Sequence, residues 1–154
     1  MTDYHSEQWL DLTHTMAADV LAGECPWEIL ADLSDLIRAW GQTLSRDDYT
    51  EITPGVFLAR DVRVSPTATI AGPCIVGAGS EIRSGAFLRG STLIGRGCVI
   101  GNSTEVKNAI LFDGVKAPHF NYIGDSILGF GAHLGAGAIL SNMRCDGAPI
   151  VLRT

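Results

Sequence analysis

Residues 64 to 106 read VSPTATIAGPCIVGAGSEIRSGAFLRGSTLIGRGCVIGNSTEV, and an aliphatic residue returns at every sixth position: Val64, Ile70, Val76, Ile82, Leu88, Ile94, Ile100 and Val106. The spacing extends back through Leu58 to Ile52 and forward to Phe112, so eleven successive positions are aliphatic or aromatic. Four residues after the anchors from Leu58 to Ile100 runs a column of smaller side chains: Val62, Ala68, Cys74, Ser80, Ala86, Thr92, Cys98 and Thr104. Glycine recurs just after the anchor, as at Gly77, Gly95 and Gly101. A short fixed period marks a repeat architecture, in which each unit buries its apolar side only by stacking on the next. A period of six suits a triangular prism. Each hexad gives a short strand and a tight turn, three hexads complete a coil, and coils stack as parallel strands about 4.8 Å apart. The anchors fill the prism, the small residues fit near its corners, and glycines permit the turns.

Arg89 and Lys107 lie 18 residues apart, one three-hexad coil, and each follows a core anchor. The spacing therefore stacks one above the other on one face. Two stacked cations repel unless an anion lies between them, and a phosphate is one such partner. After Pro118 the next clear anchors are Leu128, Leu134 and Leu140, so ten residues stand where twelve are expected. We expect the two missing residues at His119, within a cluster of His119, Asn121, Tyr122, Gly124 and Asp125. A chain that breaks its own local rule at such a cluster does so where function is most often found.

Ahead of the repeat, Trp9, Leu12, Met16 and Val20 follow helical spacing and Gly23 supplies a stop. Pro26 opens a second helix with an apolar stripe of Leu30, Leu33, Ile37, Trp40 and Leu44. We divide the chain into a helical segment and linker, residues 1–51, and a repeat domain, residues 52–154. The helical segment is expected to cap the lower end of the stack, where a repeat exposes its core. Leu134, Leu140 and Ile150 carry no visible cap at the other end. Residues 1–51 hold 11 acidic and 2 basic side chains, a net −9, against +3 for the remainder. Small anionic ligands therefore belong on the repeat. Neither a basic run nor a nucleic-acid-binding motif accompanies that excess. The hydrophobic fraction of 46% supports one well-packed domain. No stretch approaches the roughly 18 apolar residues of a membrane span, and the acidic start lacks a basic, apolar leader. A cytoplasmic protein is expected, with Cys25, Cys74, Cys98 and Cys145 as mostly buried thiols and no CxxC spacing for zinc or redox work.

Four segments carry a resemblance: GN-x-x-E-x-K ending at Lys107, H-x-x-Y-x-GD from His119 to Asp125, the GAG of Gly135 to Gly137, and Asn142. Together they resemble the acetyltransferase domain of the bifunctional glucosamine-1-phosphate acetyltransferase and N-acetylglucosamine-1-phosphate uridylyltransferase family, and its short pyrophosphorylase-related homologues. The resemblance implies a mainly β fold, a left-handed parallel β-helix of about five coils, in exception to the usual right-handed crossover. It implies acetyl-CoA as co-substrate, no metal, and an amino-sugar phosphate or nucleotide sugar as acceptor. By it Arg89 and Lys107 clamp the sugar phosphate, His119 is the general base, Tyr122 contacts substrate, and Asn142 lies near the acetyl group. His133 stands where that family has Asn, and Met143 where it has Tyr, so the acceptor pocket is expected to differ. The family continues past the position of Thr154 with coils that hold much of its coenzyme A site. It also carries a uridylyltransferase domain that these residues do not match.

The chemistry suits the residue types. Acetyl transfer from a thioester to an amine needs a proton acceptor, and an imidazole, with an ordinary pKa of about 6.5, accepts one at neutral pH. A backbone N–H around Gly135–Gly137 or the Asn142 amide is a candidate oxyanion donor. The competing reading is a non-catalytic β-helix that binds a sugar nucleotide or organises a homotrimer. A zinc lyase with three histidines is a third reading, and only His119 and His133 lie in the repeat. A homotrimer is expected, because open prism faces need covering and the family places sites between subunits.

Overall fold

The computed structural model describes residues 4–141, 143–148 and 151. From Val56 onward the chain forms a parallel β-helix of about five coils. Each coil crosses three faces. The first carries Val56–Ala59, Cys74–Val76, Thr92–Ile94, and the ends of Glu105–Leu111 and Tyr122–Leu128. The second carries Arg63–Val64, Glu81–Ile82, Val99–Asn102 and Lys116–His119. The third carries Thr69–Ile70, Phe87–Leu88, the starts of Glu105–Leu111 and Tyr122–Leu128, and Ile139–Leu140. Inside the prism lie Leu58, Val76, Ile82, Leu88, Ile94, Ile100 and Val106, with the small residues Cys74, Ala86 and Cys98 between them.

Register departs from strict hexads, though not where expected. Cys74 pairs with Thr92, 18 residues on, but Thr92 pairs with Ala109 and Ala109 with Ser126, each 17 on. The missing residues fall one each at Asn108 and Asp125, at the corner joining the third face to the first, and not at His119. Both occupy the left-handed region, with φ of 49° and 46°, which Asn and Asp tolerate better than most residues. A corner that takes Arg89, Gly90 and Ser91 lower down is thus turned with one residue fewer, and one strand runs through it onto the next face. The phase change also moves an anchor. Leu111, not Phe112, points into the prism, and Phe112 joins the outer core. Ile52 is no anchor either. It lies in Tyr49–Thr53, antiparallel to Val56–Ala59, and is 50% exposed. This hairpin strand straddles the boundary drawn at residues 51 and 52.

The acidic N-terminal segment lies along the first face instead of beneath the stack. Phe57, Ile75, Leu93 and Ile110 form an outward apolar column on that face, and Ala17, Leu21, Ile29, Leu33 and Ile37 close over it as a second core. Strands buried on both sides are apolar throughout, as Cys74-Ile75-Val76 and Ala109-Ile110-Leu111 are. The stripe from Leu33 to Leu44 forms an α-helix, Leu33–Thr43. The segment before it is no single helix but single turns around Ser6–Gln8 and Leu12–His14, a short helix Ala18–Leu21, and a further turn Glu28–Ala31. Side chains divert the backbone: Asp11 accepts from the Thr13 N–H at 3.1 Å and Thr15 Oγ1 from the Ala17 N–H at 3.2 Å. His14 stacks on Phe130 with ring centroids 3.6 Å apart, pinning the arm to an upper coil.

Cys74 and Cys98 are buried, and burial pushes their thiols up to about 12 and about 11. Cys25 is half-buried and Cys145 exposed, so two of the four thiols are core residues. Leu134 and Leu140 pack against the prism core at its upper end; Ile150 lies outside the described residues. Among the described residues no helix is long and apolar enough to cross a membrane.

Gly41 lies in the last turn of the helix, where a Cβ would overlap the edge of the Phe57 ring. Alanine is the better helix former by about 1 kcal/mol, whereas overpacking a core costs about 1–3 kcal/mol. Gly41→Ala should therefore destabilise the fold despite its propensity, lowering the melting temperature by a few degrees. An unchanged or raised melting point in a thermal scan would show that the helix does not rest on Phe57.

Candidate functional site

The third face brings several of the expected residues together. Val106 pairs with Leu88, so the following residues, Lys107 and Arg89, stack in adjacent coils; Gly124 pairs with Lys107 in the coil above. The missing side chain at Gly124 decides what lies there, because a Cβ would come within 2.6 to 2.9 Å of the Tyr122 ring and hydroxyl. Tyr122 thus folds across Gly124.

The anion that two stacked cations need is found within the chain. Arg89 Nη1 donates to Glu105 Oε1 at 2.7 Å, and this contact raises the Arg89 pKa further above its ordinary value. Lys107 Nζ donates to Asp125 Oδ2 at 3.2 Å, and Asn108 Nδ2 donates to Asp125 Oδ1 at 2.7 Å. Exposed ion pairs contribute little to folding because water competes for both partners. They hold the cations in place while leaving other N–H groups free to donate, since a guanidinium has five and an ammonium three.

His119 stands at the end of the second face, at the corner where the chain turns onto the third. It ends Lys116–His119, its side chain is exposed, and Phe120 with φ of 52° turns the chain onto Tyr122. From there the chain crosses the third face along Tyr122 to Gly124. The histidine and the cation column therefore frame one face from corner to corner, with Tyr122 between. His133 lies elsewhere. It pairs with Lys116 on the second face, around the corner from Arg89 and Lys107. Asn142 lies outside the described residues.

Asn121 is the functional neighbour that the sequence reading passed over as a role. It is 2% exposed inside the corner. Its Nδ2 donates to the Gly135 carbonyl at 2.8 Å and the Ala138 carbonyl at 3.3 Å, and its Oδ1 accepts the His119 N–H at 3.2 Å. The His119 carbonyl in turn accepts the Gly137 N–H at 3.2 Å. One buried amide thus ties the histidine to the Gly135–Gly137 turn of the next coil. The signal lay in the small-residue column, since Ala68, Ala86 and Thr104 continue to Asn121 once the register drops to 17. Among the described residues no cluster of three or more His, Cys, Asp or Glu could hold a metal ion.

Residues 70–152 match the model of the GMPPB C-terminal domain. The chain belongs to the GMPPB C-terminal domain family. The match takes in every candidate residue named above. Similar proteins include the bifunctional protein GlmU of Thermodesulfovibrio yellowstonii, 37% identical over 122 residues that cover 65% of this chain and 26% of that protein. GlmU of Methanococcus maripaludis strain S2 is 30% identical over 129 residues, covering 82% of this chain and 31% of that protein. This member of the GMPPB C-terminal domain family therefore spans about a quarter to a third of the length of these relatives. Among solved structures, the acetyltransferase domain of PglB from Neisseria gonorrhoeae aligns over 56% of this chain and 49% of that one, with 23% identity and a TM-score of 0.48.

Removing the Asn121 side chain would take the Oδ1 acceptor from the His119 N–H and one of two donors from each of the Gly135 and Ala138 carbonyls, which also accept from the Ala138 and Tyr122 N–H groups. Asn121→Ala should cost about 1–3 kcal/mol and speed hydrogen exchange at the His119 and Gly137 amides before the rest of the stack. Uniform exchange across the β-helix would show that the amide does not hold this corner.

Proposed function

We propose that this chain is an acetyl-CoA-dependent N-acetyltransferase module whose acceptor is an amino-sugar phosphate or a nucleotide sugar. The observation that carries the reading is the face framed by His119 at one corner and the Arg89–Lys107 column at the other, within a sequence similar to GlmU proteins. The cations take the acceptor's phosphate, Tyr122 lies along the sugar, and the His119 imidazole receives the amine proton as nitrogen attacks the thioester carbonyl. The nitrogen–carbon bond forms, the carbon–sulfur bond breaks, and coenzyme A leaves as the thiol. An N–H of the Gly135–Gly137 turn, or the Asn142 amide, stabilises the oxyanion.

We further propose that the working form is a homotrimer. His133 and the cation column occupy different faces of one chain, so one acceptor can meet both only if a neighbour's face closes against this one. Apolar side chains on the open third face support such a contact, with Phe120 61% and Ile139 69% exposed. Light scattering showing a monomer at micromolar concentration would remove the shared site.

A second reading, a sugar-nucleotide-binding module without turnover, is favoured by one observation: Glu105 and Asp125 already neutralise both cations. Thiol release from acetyl-CoA with glucosamine-1-phosphate and related amino sugars separates the two. His119→Ala should lower turnover by about a hundredfold to ten-thousandfold while phosphate binding persists. Arg89→Ala or Lys107→Ala should weaken the acceptor roughly tenfold or more with the fold intact. No turnover with any amino-sugar acceptor would favour the binding module, and turnover indifferent to His119→Ala would remove its role as base.

A further inference from the structure

Two tryptophans on the N-terminal arm stay exposed, although Trp27 meets the Tyr4 ring with centroids 5.8 Å apart. Trp9 is 65% and Trp27 45% exposed, although the same arm buries Leu21, Leu33 and Ile37 completely. They line a cavity of about 210 Å³ with Pro26, Leu30, Ile127 and Asp125. Asp125 is the decisive member, because its other side is the Lys107 ammonium at 3.2 Å. The aromatic cavity and the cation column therefore share a wall, at the corner joining the third face to the first.

We infer that Trp9 and Trp27 form a stacking platform for the base of a nucleotide whose phosphates lie on Lys107 and Arg89, which makes a nucleotide sugar, rather than a bare sugar phosphate, the ligand of this face. The inference rests on the phosphate-binding reading above and narrows its acceptor class. A sugar 1-phosphate ends at the cations and has nothing to place beyond them. A nucleoside diphosphate carries a flat π-system one ribose further on, and an indole face accepts any base by stacking. Two cations in adjacent coils, about 4.8 Å apart in backbone spacing, suit two linked phosphates. Lys107 can keep Asp125 and still donate to phosphate.

The test uses uridine and guanosine diphosphates and inorganic pyrophosphate as probes, titrated by calorimetry with tryptophan fluorescence followed in parallel. At least one nucleotide should bind about tenfold or more tighter than pyrophosphate and quench the emission. Trp9→Ala and Trp27→Ala, both at exposed positions, should reduce nucleotide binding toward the pyrophosphate level while leaving pyrophosphate affinity unchanged. Lys107→Ala should weaken all three probes. Equal affinity for nucleotides and pyrophosphate, a nucleotide preference that survives both tryptophan substitutions, or no binding of any probe would overturn the inference. If the tryptophan substitutions instead dissociate an oligomer without touching nucleotide affinity, the aromatic patch is a contact between copies and the inference also fails. Its failure is distinguishable from that of the acetyltransferase reading. Tryptophan-dependent nucleotide binding without thiol release sinks the transferase alone, and turnover of bare amino-sugar phosphate indifferent to both tryptophans sinks the platform alone.

Discussion

Parallel pairing between successive coils is the constraint on which the rest of this molecule depends. Each coil exchanges bonds with both neighbours, the Glu81 N–H donating up to the Cys98 carbonyl and the Gly97 N–H down to the Ala78 carbonyl, so every coil must deliver the same positions to the same face or leave buried N–H and C=O groups without partners. Stacking is close enough that a Cβ at Gly95 would meet the Asp113 backbone N–H, and one at Gly101 the Pro118 carbonyl. A change of coil length is tolerated only at a corner, and only if every later coil keeps it. The step from 18 to 17 residues obeys both conditions: it falls at Asn108, recurs at Asp125, and leaves the other two corners unaltered.

That step explains what the sequence does and does not reveal. Nine of the eleven hexad anchors, Leu58 to Val106, form a consistent series up to the short corner, because a six-residue period depends only on which side chains can enter the prism. Past Val106 the pattern becomes ambiguous, since Leu111 and Phe112 are both apolar and both buried, one inward and one outward. Strict counting selects Phe112 and pushes the accumulated deficit to the next visible irregularity, at His119. The outward column of Phe57, Ile75, Leu93 and Ile110 was the available corrective. Its spacing of 18, 18 and 17 both names the covered face and locates the deletion. The turns of the N-terminal arm were less legible, because local Asp and Thr side-chain bonds, which override helical periodicity, leave no trace in an apolar pattern.

The candidate site draws its order from the same stack. Arg89 and Lys107 were paired from spacing alone, and the pairing needs only the coil length. Their carboxylate partners were not legible, because Glu105 reaches Arg89 across coils at 16 residues and Asp125 reaches Lys107 at 18, and only three-dimensional corner geometry makes both reachable. Asn121 shows the converse case. A buried amide with three partners fixes the backbone of an exposed histidine, so a flexible-looking surface side chain stands on one of the better-tied corners of the molecule. What is fixed is the backbone from which the imidazole projects, while the ring itself stays exposed.

Covering the first face also decides where function can reside. Once Leu33, Ile37 and Phe57 seal it, the second and third faces and their corners are what a neighbouring chain or a ligand can use. His119 stands on the corner between them, His133 on one of the two faces, and the Arg89–Lys107 column on the other. The arm that closes the first face is at the same time the source of Trp9 and Trp27, which it carries to the far edge of the third face beside Asp125. A segment of opposite charge to the solenoid thus supplies packing along one side and aromatic surface at the boundary with the next. Its net −9 is also informative here: anions are disfavoured over the arm and favoured on the uncovered faces, where the coil spacing builds the Arg89–Lys107 column.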